Sequence, residues 1–236
     1  MNILIVVAAR AGSKRVKNKN ARLLAGKPLL AYTIEQAVRW GGHAKLIFSS
    51  DSKKMAALAK SYGADVIFKR PAELASDRSG KMDVIRHALK AAEDHYQERY
   101  DAVLDLDVTN PIRRISDIEG IVQVYKKFKP DCVFSVVAAR KNPYFNMVEV
   151  DSRGKVQVCK KLAQSIKRTQ DAPRVYDMNA SMYVHKRAFL LDIRNQLPYA
   201  KKAMIYEMDE SAAFDIDSEF DFQLVEFLIK SGKAKL

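Results

Sequence analysis

The chain opens on an unbroken apolar run, Ile3 to Val7, and beyond it apolar positions recur in two alternating rhythms. A short continuous aliphatic run is what a strand covered on both faces requires, whereas spacings of three and four mark one face of a helix. On this basis the pattern predicts strands over 2–8, 45–49, 65–68, 102–106 and 131–137. Between them, Leu30, Ile34, Ala37 and Val38 predict a helix that Pro28 can begin and Gly41-Gly42 can stop. Ser52 is placed to start a second helix, ending at Gly63, and Val84, Ile85, Ala88, Leu89 and Ala92 form the stripe of a third. SDIE at Ser116–Glu119 has the spacing of a capping box opening a fourth, which runs to about Phe128. Strand and helix in alternation predict an α/β, three-layer fold, with a mostly parallel sheet and helices on both faces. In such sheets ligands sit beyond the carboxyl ends of the strands.

After Ala138 the rhythm changes. Residues 145–150 and 155–158 flank DSRG as a hairpin, and a long basic polar segment follows. A long irregular stretch inside a compact domain is a functional element or an interface. Regular patterning returns with strands near 182–185 and 203–207 and a last helix from Ser218, whose stripe reads Phe220, Leu224, Phe227 and Leu228. No repeat or linker divides the chain, so residues 1–236 read as one domain, with about 140–175 as an insertion within it.

Composition narrows the function classes. With 236 residues, 48% of them hydrophobic and 29% charged, the chain can bury a substantial core and does not read as disordered. The longest apolar run is too short to span a bilayer. Two cysteines, Cys132 and Cys159, have no paired spacing that marks a metal site or disulfide framework, which points to a reduced, cytoplasmic setting. A net charge of +13 fits a nucleic-acid binder or an enzyme of polyanionic small molecules. The basic residues are spread along the whole chain, and no aromatic RNA-binding pattern accompanies them.

Two stretches carry chemistry. AARAGSKRVKNKN, residues 8–20, follows the first strand with several positive charges and no acid. A small-residue turn there leaves backbone N–H groups open to phosphate oxygens, with Arg10, Lys14, Arg15 and Lys19 supplying charge. The stretch is neither a Gly-Lys-Ser/Thr phosphate loop nor a three-glycine dinucleotide turn, and its composition alone fits a solvated basic loop as well. The second constellation is acidic. LDLDVTNP puts Asp105 and Asp107 at the end of a buried strand, with Asp105 expected to turn away from Asp107 and be structural. FDIDSEFD puts Asp215 and Asp217 before the last helix, where alternate residues point the same way and can share a cation. Few oxygen ligands suit Mg²⁺, although Asp217 or Ser218 could equally just cap the helix. A basic cradle with a carboxylate cluster is the equipment of phosphoryl or nucleotidyl transfer.

Four blocks then resemble one family: AARAGSKRVKNKN at 8–20, KRPAELASD at 69–77, TNPIR at 109–113 and FDIDSEFD at 214–221. RTQDAPRVYDMNASMY at 168–183 adds a fifth. Together they resemble the CMP-sugar acid synthetases, the cytidylyltransferases that activate sialic, legionaminic and related nine-carbon acids. The resemblance implies a Rossmann-like nucleotidyltransferase fold and transfer of CMP from CTP to the anomeric hydroxyl of a sugar acid, releasing pyrophosphate. It implies that Arg10 and Lys19 hold the triphosphate, that Ala9, Gly12 and Ser13 shape the nucleotide pocket, and that Arg70 and Ala75 face cytosine and ribose. Asp215 and Asp217 would bind Mg²⁺. Asp107 stands where the sialic acid enzymes commonly have glutamine, and is expected as a further metal ligand or an acceptor contact. Thr109, Arg168, Gln170 and Asn179 fall on the acceptor side. The family's Asn-Gly is here Asn179-Ala180, and its Arg-Gln is loosened to Arg168-Thr169-Gln170; these departures fit legionaminic better than sialic acid. The insertion at 140–175 would form a homodimer interface and, with Arg140, Lys141, Lys160, Lys161, Lys167, Arg168 and Arg174, meet a substrate carboxylate. The alternatives are another sugar nucleotidyltransferase, using KDO or a sugar phosphate, and a non-catalytic nucleic-acid-binding domain. Neither nucleic acid nor membrane is an expected partner.

Overall fold

Alternate residues of the first strand explain its unbroken apolar run. In β1 (Ile3–Ala8), Ile3, Ile5 and Val7 enter one buried cluster, while Leu4 and Val6 enter a second on the other side. A strand between two layers needs both. The computed structural model describes the chain except residues 13, 14, 43, 77, 78, 165, 200, 201 and 235; Ser13 and Lys14, named above, therefore lie outside the described residues.

A two-residue hairpin, β2 (Leu23–Leu24) and β3 (Lys27–Pro28), leads into α1 (Leu29–Gly41). Then come β4 (Leu46–Ser49), α2 (Lys53–Ser61), α3 (Lys81–Tyr96), β5 (Ala102–Asp107), α4 (Ile115–Phe128) and β6 (Cys132–Ala138). The exposed hairpin β7 (Val148–Val150) and β8 (Val156–Val158) follows, then β9 (Tyr176–Lys186), α5 (Arg187–Leu191), β10 (Ala203–Glu207) and α6 (Glu219–Lys230). Six strands form one sheet in the order β10-β6-β9-β5-β1-β4. The pairs β1·β4, β1·β5 and β6·β10 are parallel, while β9 runs antiparallel to both β5 and β6. The sheet is therefore mixed and mostly parallel. Helices α1, α2, α4 and α6 cover one face and α3 and α5 the other.

Four expectations are corrected. Residues 65–68 do not form a strand: Asp65 makes a single parallel bridge to Ile47. The strand expected near 182–185 is eleven residues long and begins at Tyr176. The cap of α4 is two residues earlier than SDIE, at Arg114, with Asp117 Oδ2 accepting from the Arg114 N–H at 2.8 Å. In α6, Phe222 and Val225 are the buried residues, whereas Phe220 and Phe227 are 72% and 56% exposed. Seven apolar side chains on a twelve-residue helix allow overlapping stripes, and only packing against the sheet selects one.

One joint of the sheet carries backbone strain. Between Phe134 and Val136 the β6–β9 register shifts, and opposite this irregularity Ala180 has φ 54°. That left-handed conformation costs a non-glycine residue about 1–2 kcal/mol.

Candidate active site

The carboxyl ends of β1 and β5 open onto one cleft of about 520 Å³, and the end of β4 lies beside it beneath Arg70. Parallel register aligns them: Ala8 pairs with Ser49 on one side and Asp107 on the other. The basic stretch therefore leaves β1 directly beside the acidic end of β5. It is pinned as it leaves. The Ala9 N–H donates to Ser49 O at 3.0 Å, the Ala11 N–H to Asp51 Oδ1 at 2.9 Å, and Asn20 Nδ2 to Arg10 O at 3.2 Å. Val16 is buried beneath the loop, which turns through Asn18 at φ 54° into a short 3₁₀ turn carrying Lys19 and Asn20.

Lys19 is 8% exposed, a rare degree of burial for a lysine. Its ammonium donates to Ile216 O and lies 3.6 Å from Asp217 Oδ1, while Arg15 lies 3.3 Å from Asp217 Oδ2. Arg70 is also buried: its Nε donates to Ser49 Oγ at 3.0 Å, anchoring the guanidinium on the end of β4. Burial, and secondarily Arg10, outweigh the opposing Asp51 and lower Arg70 to about 10, still charged at neutral pH. Ala9, Arg10, Arg15, Lys19, Arg70, Asp107, Thr109 and Asp217 all line the cleft.

The acidic segment reaches this cleft from the far end of the chain because the Ile216 N–H donates to Thr109 O at 2.9 Å. Ile216 is fully buried, and Asp215 and Asp217 flank it. Burial, then the charges of Asp107 and Asp217, push the Asp215 carboxyl above the usual range, against a hydrogen-bonding contact from Thr109 and the charge of Lys19. Asp215 Oδ1 is buried with no hydrogen-bond partner. Among the described residues, no group of three or more His, Cys, Asp or Glu side chains is arranged to hold a metal ion.

Asp105 and Asp107 share one face of β5, the face covered by α3, so Asp105 is not turned away from Asp107 as its sequence context had implied. Lys81, the first residue of α3, lies 3.0 Å from Asp105 Oδ2 and donates to Asp107 Oδ2 at 2.7 Å. Burial works to raise the Asp107 carboxyl, but the charge and hydrogen bond of Lys81, with two bonds from Thr109, hold it at about 2. Sequence reasoning missed Lys81. It also left Arg113 unremarked inside TNPIR, although this is the bulkiest fully buried side chain. Arg113 donates to Ser181 Oγ and O at 3.0 and 2.8 Å and to Asp107 O at 2.9 Å, tying the end of β5 to β9.

The remaining candidates lie elsewhere. Gly12 is exposed and faces open space, and Ala75 sits on a 3₁₀ turn whose neighbours Leu74 and Ser76 line the cleft. Arg168 is exposed and paired with Asp171 at 2.9 Å; Gln170 is exposed on the same turn. Asn179 is buried with its amide engaged in the fold, accepting from Ser135 Oγ at 2.7 Å and donating to Ala212 O at 3.0 Å.

A cleft at the strand ends of a doubly covered sheet, with buried cations on one wall and carboxylates on the other, defines a Rossmann-like nucleotidyltransferase. The family model for cytidylyltransferases matches residues 4–231, and the chain belongs to that family. It is 42% identical over 228 residues, 97% of this chain and 95% of the relative, to post-translational flagellin modification protein B of Campylobacter coli. It is likewise 42% identical to the CMP-N,N'-diacetyllegionaminic acid synthase of Campylobacter jejuni, over 96% of this chain and 94% of the relative. Among solved structures, the CMP:2-keto-3-deoxy-manno-octonic acid synthetase complexed with CTP covers 98% of this chain and 100% of its own, at a TM-score of 0.70 and 17% identity.

Proposed function

We propose that this cytidylyltransferase transfers CMP from CTP to the anomeric hydroxyl of a nine-carbon sugar acid of the legionaminic type, releasing pyrophosphate. The observation that carries the reading is the buried Lys19 ammonium beside Asp217 in a cleft that Arg10, Arg15 and Arg70 also line. A triphosphate satisfies that excess of fixed positive charge. Because Lys19 and Arg70 are anchored before substrate arrives, they stabilise charge developing at the α-phosphorus without reorganising. The acceptor hydroxyl then attacks in line while pyrophosphate departs toward the basic wall. The legionaminic acceptor is favoured by the name of the Campylobacter jejuni relative, which matches over nearly its whole length.

The residues present fit Mg²⁺. Asp215 has a buried, unpartnered oxygen, and its carboxyl is raised by burial and by two neighbouring acids, the surroundings a cation relieves. Asp215 and Asp217 would hold the ion, which neutralises phosphate oxygens when bound. The β7–β8 hairpin presents Val148, Val150 and Val156, each more than half exposed, to a second copy of the chain. In such a homodimer Arg168 and Gln170 serve the neighbour's acceptor. A cytoplasmic CTP pool is the expected setting; among the described residues no helix is long and apolar enough to cross a membrane.

The test is pyrophosphate release from CTP and Mg²⁺ with legionaminic acid, N-acetylneuraminic acid and KDO offered in parallel. Release with the legionaminic acid alone, or most rapidly, is expected. Release only with KDO overturns the acceptor, and failure to bind CTP overturns the whole reading. Elution of the protein as a monomer at micromolar concentration overturns the dimer.

A further inference from the structure

The carboxylates in and beside the cleft do not meet the same surroundings. Both oxygens of Asp107 are fully engaged: Oδ2 accepts from the Lys81 ammonium at 2.7 Å, and Oδ1 accepts from the Thr109 N–H and hydroxyl at 2.9 and 2.8 Å. Lys81 is itself held from three sides, by Asp107, by Asp105 at 3.0 Å and by the Tyr183 ring at 4.8 Å from its centroid. Register explains the grouping, since Tyr183 pairs with Asp105 across β5 and β9. Asp105 is buried, neither of its oxygens has a hydrogen-bond partner, and Lys81 is its close counter-charge. Asp217, by contrast, is 57% exposed, and its ion pairs among the described residues are long, 3.3 Å to Arg15 and 3.6 Å to Lys19. Asp215 keeps its unpartnered buried oxygen.

A divalent cation at Asp107 would have to displace Lys81. That ammonium would then lie beside the metal in a partly desolvated pocket, and Asp105 would lose its partner; both are costly in low dielectric. Asp215 and Asp217 can take a cation with neither loss. We infer that Lys81 is a positioning residue whose ammonium fills the cation position at Asp107, withdrawing that carboxylate from metal binding and leaving Asp215 and Asp217 as the metal-binding pair. The inference rests on the reading of the cleft as a site for CTP and Mg²⁺. Asp107 is thereby held rigid by Lys81 and Thr109 at the edge of the cleft.

The test is a double-mutant cycle read by Mn²⁺ affinity in the presence of CTP, using electron paramagnetic resonance to count free Mn²⁺. Lys81→Met with Asp105→Asn removes one charge of each sign and frees Asp107. Adding Asp107→Asn to that pair is expected to weaken Mn²⁺ about tenfold more than the same change does in the unaltered enzyme. An equal effect in both backgrounds overturns the inference. Asp107→Asn alone keeps Lys81 paired with Asp105 and covers a double variant that does not fold. It is expected to hold Mn²⁺ at least about tenfold more tightly than Asp217→Asn, because it removes no ligand. Equal losses from these two single changes would again overturn it. CTP binding by the unaltered enzyme, measured first by calorimetry, separates this failure from failure of the underlying reading: without it both fall.

Discussion

Two basic stretches look alike in the sequence and end in opposite circumstances. Residues 8–20 leave a central strand, are pinned by Ser49, Asp51 and Asn20, and deliver Lys19 into the interior. Residues 140–174 carry Arg140, Lys141, Lys160, Lys161, Lys167, Arg168 and Arg174, all exposed, on a lobe outside the six-stranded sheet. A run of positive charge says little by itself. What makes the first one a site is the strand register behind it and the acids brought opposite it. The second is anchored chiefly through Asn142, whose side chain donates to Pro173 O at 3.0 Å and closes the lobe at its base.

The sharpest way to break this comparison is to remove one lysine from each stretch. Lys19→Ala is expected to lower turnover by about 10³-fold, the scale of losing a preorganised charge at the reacting centre, with a near-normal melting temperature. Pyrophosphate-release kinetics beside a thermal scan check both halves. The acids opposite give the next largest effect. Asp215→Asn should cost about 10²-fold in turnover yet raise the thermal midpoint by about 2–4 °C, since it removes a repelled, buried carboxylate with one unpartnered oxygen. A lower midpoint would mean that Asp215 stabilises the metal-free fold.

On the strand that follows the exposed lobe, His185 lies fully inside the sheet, stacked on Tyr183 with ring centroids 5.7 Å apart. Burial, aided by Lys81, lowers it to about 3, while the unfolded chain titrates near 6.5. Between those values the unfolded state holds the extra proton, so the contribution is complete above about pH 6.5 and is lost as pH falls toward 3. Urea unfolding from pH 7 to pH 4 should show stability falling by up to about 1.4 kcal/mol per pH unit from this group, and His185→Phe should flatten that slope. Ala180→Gly, where the lobe's chain joins the sheet, is expected to add about 0.5–1 kcal/mol by relieving the left-handed alanine, read from the same unfolding curves. Smallest of all, Lys160→Ala should change the KM for CTP by less than about threefold, as an exposed charge in screened solvent does. A larger change would place the second stretch inside the nucleotide site.

How much of this was legible beforehand follows from the range of the interactions involved. β1, β5, β10 and α3 were readable because each is written in its own residues, as a two-sided apolar run or a stripe of period 3.6. The direction of β9 was not, because nothing within Tyr176–Lys186 says which neighbours it will have. Arg10, Lys19, Asp215 and Asp217 could be nominated from charge, spacing and family resemblance, but the bond from Ile216 to Thr109 that joins the two groups crosses more than a hundred residues. Lys81 left no signal at all. In SGKMDV it reads as a solvent-facing charge at the start of a helix, and only its position under β5 gives it two carboxylate partners.

The antiparallel strand has a consequence for how the protein is made. β5 and β6 are consecutive in the sheet's chain order, yet β9 separates them in space. As the chain leaves the ribosome, β5 waits with one open edge and β6 with two, because β10 is made after β9. The stretch from Ala138 to Lys186 takes about 2–10 s to synthesise, and until it is complete the half-sheet of β4, β1 and β5 and the lone strand β6 await the strand that joins them. Exposed strand edges are the places where chains pair wrongly. The nascent protein therefore has a window of vulnerability set by the length of the very lobe proposed to bring its two finished copies together.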